Sequence, residues 1–387
     1  MSRSTFEDHS DRAQHEREAR AWGWVAHLRD GGTTPWSAWA TLAGADEQAG
    51  RFLPGAQQLE LLRRLNLLSL PSPELADRVL RASAPGRGRP DLGLVGVLPD
   101  SAFGPPPVDP GDLPAAELVR VATALIAEDV VAAGDPDAPR SPRLLRRRYR
   151  LLGDPEVADP LRDALVADGR PPGGPRPTVV VAGSDLSSML VHLWSAQSLR
   201  GGAKPWPEWL SARARRGGVP HQVDVARVAE TWVGRVGTRR VHVVLDDPGQ
   251  AMRLAGARRR LPASTSLSAD ASELARRTAP ALGTLVTPER RSMLMRRRLR
   301  PVLAAHLGPQ LRIPRRHGAW LLACTHDLRR RLATGDYAVH GALPEPVDRR
   351  GVTAPDEERV LALAVQVLLG PRIGTPQAEQ PREREAM

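Results

Sequence analysis

Short apolar segments alternate with helical segments through the middle of the chain, and this alternation constrains the fold more than any other feature. The strand-like segments are 146–152, 179–181 and 240–245, and the segments with helical spacing are 159–168, 185–198 and 224–234. Strands separated by helices predict a parallel sheet that is covered by helices on both faces. We therefore expect an α/β fold with a small parallel sheet flanked by helices.

The first third of the chain has a different pattern. Apolar residues recur at helical spacing in four segments, namely 14–29, 55–66, 73–82 and 113–131. The alternation typical of strands is absent. The sequence therefore predicts a mostly α-helical N-terminal module over 1–135, an α/β domain over 136–345, and a C-terminal helix with a polar tail over 346–387.

Several classes of protein are disfavoured by composition. The chain contains no apolar run long enough for a transmembrane helix, and its first residues lack the apolar stretch of a secretory signal. Its single cysteine, Cys324, rules out an internal disulfide and a cysteine-rich zinc site. A soluble cytoplasmic protein with no membrane partner is the expectation.

The basic residues are unusual in kind and in distribution. Lysine occurs once, as Lys204, among 55 basic residues, and the net charge is +11. Residues 143–345 carry 35 basic and 17 acidic residues, which is +18, and the rest carries 20 and 27, which is −7. GC-rich codon usage explains arginine without lysine, whereas a basic segment is also typical of proteins that bind polyanions. Both interpretations stay open at this stage.

The order of the segments resembles a known family. A strand leads directly into a helix at 179–198, PWPEWL follows at 205–210, an amphipathic helix leads into RVHVVLDDPG at 240–249, and a last block spans 313–346. This succession resembles the C-terminal two-thirds of the bacterial sulfotransferases that are frequent in actinobacteria. The resemblance covers about 143–345 and implies a P-loop, sulfotransferase-like fold and the donor 3′-phosphoadenosine 5′-phosphosulfate (PAPS).

The resemblance also implies where the donor would bind. The family's donor loop follows the first strand, and Gly153 and Pro155 match it, but Glu156 stands where the family has a lysine. Ser184 stands where an arginine would hold the 3′-phosphate, and the adjoining Asp185 completes the implied cofactor-binding set of Gly153, Pro155, Ser184 and Asp185. His192 replaces a helix serine of the family. A carboxylate at the lysine position repels a phosphosulfate, so these departures predict a degenerate donor site.

Three functions remain open after this comparison of residues. The first is a sulfotransferase-like protein that has lost ordinary catalysis and binds an anionic ligand or a protein or glycan partner. The second is an active sulfotransferase whose donor is held by arginines. The third is a nucleic-acid- or polyanion-binding protein that uses the basic segment.

Other polar residues are weaker candidates. Asp246 and Asp247 follow a predicted strand, where they could bind a metal or a hydroxyl, but a polar strand end that turns at Pro248-Gly249 is the favoured interpretation. His242 lies within the same strand and is interpreted as a core histidine. His317 and His326 share a predicted helix without a third ligand nearby, so the sequence predicts no metal site.

Overall fold

The computed structural model describes residues 3–39, 53–83, 91–97, 105–136, 148–257, 266–347 and 350–374. Residues 375–387 of the predicted polar tail and residues 146–147 of the predicted strand 146–152 lie outside the described residues. The chain divides into two compact units. The first comprises Met1–Gly134, Pro280–Pro288 and Asp356–Met387, and the second comprises Asp135–Ala279 and Glu289–Pro355.

The α-helices are distributed along the whole described part of the chain. In chain order they are α1 (Arg3–Arg29), α2 (Ala56–Leu68), α3 (Pro73–Arg81), α4 (Ala115–Ala132), α5 (Pro155–Ala167), α6 (Leu186–Arg200), α7 (Trp206–Arg216), α8 (Val225–Val236), α9 (Pro248–Leu254), α10 (Ala269–Gly283), α11 (Pro288–Leu294), α12 (Arg300–Ala304), α13 (Gly318–Thr334) and α14 (Glu357–Leu369). A π-helical turn, Met295–Leu299, joins α11 to α12.

The first unit is mostly helical in its described part, and an isolated parallel bridge joins Leu94 to Val108. Its centre is α4, whose Leu118, Val121 and Leu125 are buried because this helix is apolar on most of its surface. Helices α2 and α14 both pack against α4. The structure therefore groups the C-terminal helix with the N-terminal helices, whereas the sequence places it in a segment of its own.

The second unit contains a four-stranded sheet in the order β1-β2-β3-β4, with every neighbouring pair parallel. The strands are β1 (Tyr149–Gly153), β2 (Thr178–Gly183), β3 (Val241–Leu245) and β4 (Ala338–His340). The α/β fold with a small parallel sheet flanked by helices is confirmed. The sequence does not predict β4, which has three residues at the edge of the sheet and exposes Ala338 and Val339.

Alternate residues of the buried strands cover opposite faces. Val179 and Val181 pack in one cluster with residues of α6, α8 and α13. Val180 points the other way, into a second cluster that contains Leu151 of β1 and residues of α5 and α9. Both faces are therefore covered, which is the expected environment of a parallel sheet. Within the described ranges, no helix combines the length and the apolar composition that a membrane crossing requires.

Candidate functional site

Three parallel strands bring polar residues to one edge of the sheet. Asp154 follows β1, Ser184 and Asp185 follow β2, and Asp246 follows β3. The register aligns Gly153 with Ala182, and the next strand aligns Gly183 with Leu245, so these ends lie side by side. Ligands of open α/β sheets gather at this carboxyl edge, which makes it the first place to look for a site.

The chain passes from β1 to α5 without a loop, and Gly153 makes this turn possible. Its φ is +93°, and a Cβ there would lie 2.0 Å from the carbonyl oxygen of Ala182. The amide of Asp154 donates to the same oxygen at 2.8 Å. Pro155 then occupies the first turn of the helix, where its missing N–H is not needed. Both predicted residues thus serve the strand-to-helix turn, and α5 begins at Pro155 rather than at 159 because Asp154 caps it.

The carboxylate of Asp154 is fully buried and is surrounded by donors. One oxygen accepts from the backbone amide of Glu156 at 3.0 Å, and the other accepts from the hydroxyl of Ser184 at 2.7 Å. Nδ1 of His192 lies 2.9 Å and 3.0 Å from the two oxygens. Burial by itself raises the pKa of Asp154. The hydrogen bond and the charge of His192, together with the hydrogen bonds from Ser184 and Glu156, lower that pKa by more than burial raises it, so the net direction is downward. Asp154 is therefore ionised at neutral pH.

The pairing with Asp154 fixes the ring of His192. A carboxylate at Nδ1 selects the tautomer or the protonated form that carries a hydrogen on that nitrogen. The side chain of His192 is about one-eighth exposed, and it lines the cleft described below. Its place on α6 is also the place that the family resemblance gives to a serine.

Asp185 has a structural role of the same kind at the start of α6. Its carboxylate accepts from the amide of Ser188 at 3.0 Å and from the hydroxyls of Ser187 and Ser188. Of the four predicted cofactor-binding residues, Asp185 caps a helix, Gly153 and Pro155 form a turn, and Ser184 hydrogen-bonds to Asp154. The structure brings these residues to one edge, and their polar side chains contact protein groups there.

A cleft of about 80 Å³ opens between α5, α6 and the π-helical turn. Its ionisable lining residues are Glu156, Asp159, Asp163, His192, Arg296 and Arg300. Glu156 Oε1 and Arg300 Nη2 form an ion pair at 2.6 Å. Arg296 is held less closely, since its Nη1 lies 3.3 Å and 3.5 Å from the two carboxylate oxygens of Asp163. The cleft is thus lined by three carboxylates, two arginines and one histidine.

The N-terminus of α5 is the natural place for an anion beside this cleft. Helix N-termini attract negative charge because their first amides lack partners within the helix. Here the protein supplies the anion itself, because the Asp154 carboxylate accepts from the Glu156 amide. The lysine position of the family resemblance, Glu156, contributes a second carboxylate that Arg300 neutralises. This end of the sheet therefore contains its own charges in paired form.

The other sequence candidates have simpler environments. Asp247 caps α9 by accepting from the amide of Gln250 at 2.8 Å, so Pro248 starts a helix where the sequence predicts only a turn. Asp246 has a φ of +55° and its amide donates to Gly183 O at 2.8 Å. Lys204 is exposed. Across the described ranges, no group of three or more His, Cys, Asp and Glu side chains could hold a metal ion.

Sequence reasoning names His192 but misses its partner. The Asp154–His192 contact joins residues 38 positions apart, and it depends on how α6 packs beside the end of β1. No protein-family model, no curated protein and no solved structure matches the chain.

Proposed function

We propose that this chain is a sulfotransferase-like protein that has lost ordinary sulfuryl transfer from PAPS and binds an anionic ligand in the cleft beside α5. The observation that carries the proposal is the buried carboxylate of Asp154 at the end of β1. The ligand is a small anion, or the anionic group of a glycan or protein partner. The family resemblance of 143–345 and the parallel sheet support the first half of the proposal.

The loss of transfer follows from charge. The resemblance puts the donor's phosphate groups at the turn after β1, where amides and a lysine would stabilise them. Asp154 occupies that turn with a carboxylate whose pKa is lowered by its donors, so it stays negative at neutral pH. Glu156 places a second carboxylate at the lysine position, paired with Arg300. Groups of this sign oppose the negative charge of a phosphosulfate, and they do not stabilise its transfer.

The retained binding rests on Arg296. Its distances to Asp163 are at the long end for hydrogen bonds, in contrast with the 2.6 Å between Arg300 and Glu156. A ligand anion can therefore replace Asp163 at the Arg296 guanidinium without breaking a short ion pair. The cleft of about 80 Å³ suits a group of a few heavy atoms better than a whole nucleotide.

An active sulfotransferase with an arginine-based donor site is the second candidate. It is favoured by the presence of two arginines, Arg296 and Arg300, in a cleft beside the N-terminus of α5. In this alternative the arginines do the work of the missing lysine. It requires the donor to displace Glu156 from Arg300, a rearrangement that the first proposal does not need.

Polyanion binding through the basic segment is less well supported. The arginine triplet on α13 is engaged within the protein: Arg329 pairs with Glu345, Arg330 with Asp327, and Arg331 with Asp224 and Glu230. Arginines paired in this way offer less charge to phosphates than the net count implies. Codon usage therefore remains the simpler explanation for the arginine content.

A titration with inorganic sulfate tests the retained binding. We expect saturable binding to the full chain, weakened about tenfold to a hundredfold by Arg296→Ala, because a hydrogen bond to a charged group contributes about 1.5–3 kcal/mol. Arg298→Ala is the matched control, since Arg298 lies on the same π-helical turn but donates to the backbone oxygen of Asp135 and does not line the cleft. Equal affinity in wild type and Arg296→Ala, or no binding by the folded wild type, would refute the proposed site.

A further inference from the structure

Two histidines face each other on neighbouring strands of the sheet. The register of β3 and β4 aligns His242 with Ala338 and Val244 with His340. Side chains two positions apart along a strand share a face, so both imidazoles lie on the same side of the sheet. Nδ1 of His242 is 3.3 Å from Nε2 of His340, and the ring centroids are 5.5 Å apart.

This separation equals the spacing of two nitrogen ligands on one metal ion. Zinc binds histidine nitrogen at about 2.0–2.1 Å in tetrahedral geometry, which puts two nitrogen ligands about 3.3–3.4 Å apart. The two facing nitrogens of His242 and His340 already have this spacing. Imidazole nitrogen also suits copper and nickel, whereas magnesium and calcium prefer oxygen ligands.

The surroundings of His242 favour the neutral form of its imidazole. Metal binding requires a neutral imidazole, because a protonated ring has no lone pair to donate. Partial burial lowers the pKa of His242, and the neighbouring His340 lowers it further.

We propose that His242 and His340 form a two-imidazole site for a divalent transition-metal ion, zinc in the first instance, with water in the remaining positions. Within the described residues no third His, Cys, Asp or Glu side chain completes a cluster, so the protein contributes two ligands. The bound ion would join the three-residue edge strand β4 to β3. The site involves none of the residues of the anion cleft and does not depend on the proposed function.

Calorimetric titration of the tag-free, metal-free full chain with zinc chloride tests this site. We expect one zinc ion per chain and a higher melting temperature with zinc, because an ion that binds only the folded chain stabilises it. His340→Ala and His242→Ala should each weaken binding by at least roughly tenfold, the loss that even an outer-shell change produces at metal sites. Magnesium should not bind at the pair. Cobalt(II) in place of zinc should give the visible absorption of a coordinated ion, and this band should disappear in His340→Ala.

The control is the double variant His317→Ala/His326→Ala, which removes two histidines of the segment 315–334 and leaves the pair intact. It should bind zinc with wild-type affinity. His340→Ala carries the test if His242→Ala fails to fold, since His340 lies on the exposed edge strand. No zinc binding by the folded wild type, or undiminished binding in His340→Ala, would overturn the proposal and leave the contact as a hydrogen bond between two imidazoles.

Discussion

Nδ1 of His192 lies 2.9 Å from a carboxylate oxygen of Asp154. The contact joins a residue two turns into α6 to the residue that caps the start of α5. The contact pairs a fully buried carboxylate with an imidazole that lines a cleft. A buried carboxylate is stable only when donors surround it, and Asp154 has three kinds: an imidazole, a hydroxyl and a backbone amide. This arrangement stabilises the strand-to-helix turn.

Asp154→Ala should destabilise the protein by about 3–5 kcal/mol, because it leaves the buried groups that pair with Asp154 without their common acceptor. Urea denaturation followed by circular dichroism measures this loss. Asp247→Ala is the matched control: Asp247 also caps a helix directly after a strand, but it is exposed, and its removal should cost about 1 kcal/mol. Equal losses in the two variants would mean that the buried network adds nothing to an ordinary cap.

Acid should remove the contribution of Asp154 to the stability of the folded protein. Its pKa in the folded protein is lower than in the unfolded chain, where aspartate titrates near about 3.9. The unfolded chain therefore takes up the proton first, so the stabilisation is complete above about pH 4 to 5 and is lost as the pH falls through the folded-state pKa.

The difference in unfolding free energy between wild type and Asp154→Asn isolates this effect from the other carboxylates. We expect the difference to be largest at pH 7 and to shrink steadily between pH 5 and pH 2. A difference that stays constant over this range would mean that folding leaves the pKa of Asp154 unchanged, and a difference that grows as the pH falls would mean that folding raises it.

Gly153→Ala should lower the free energy of unfolding by about 3 kcal/mol or more, because the left-handed backbone conformation and the close contact with Ala182 O both oppose a Cβ at this position. Gly217→Ala controls for conformation alone: Gly217 has a φ of +76°, but a Cβ there meets nothing within 4 Å. Gly217→Ala should lower the free energy of unfolding by only about 1–2 kcal/mol. If thermal or urea unfolding gives the two variants the same stability, the close approach of β1 to β2 is not what selects glycine at 153.

The sequence predicts the central strands well and the edge strand not at all. β2 and β3 are apolar along nearly their whole length because helices cover both faces, and such runs are visible without any tertiary information. β4 has three residues, two of them exposed, so no apolar pattern marks it. The His242–His340 pair depends on the register of this unpredicted strand, and for that reason the sequence gives no sign of it.

The candidate site also depends on tertiary contacts that leave no pattern in the sequence. The sequence identifies Gly153, Pro155, Ser184 and Asp185 from a family resemblance, and all four lie at the carboxyl edge of the sheet. It does not reveal that Asp154 accepts from residues of β2's end and of α6, because those contacts join segments that only the folded sheet brings together. Local capping signals place a residue at a helix start, but they do not say what else reaches its side chain.

The most direct test of the central claim is a calorimetric titration of the folded wild-type protein with adenosine 3′,5′-bisphosphate, the desulfated product of PAPS, at ordinary salt. The account predicts no saturable heat, because the proposal puts the donor's phosphates beside the carboxylates of Asp154 and Glu156, whose negative charge opposes theirs. Saturable binding near one nucleotide per chain that is lost in Arg300→Ala would contradict it and would establish an arginine-based donor site instead.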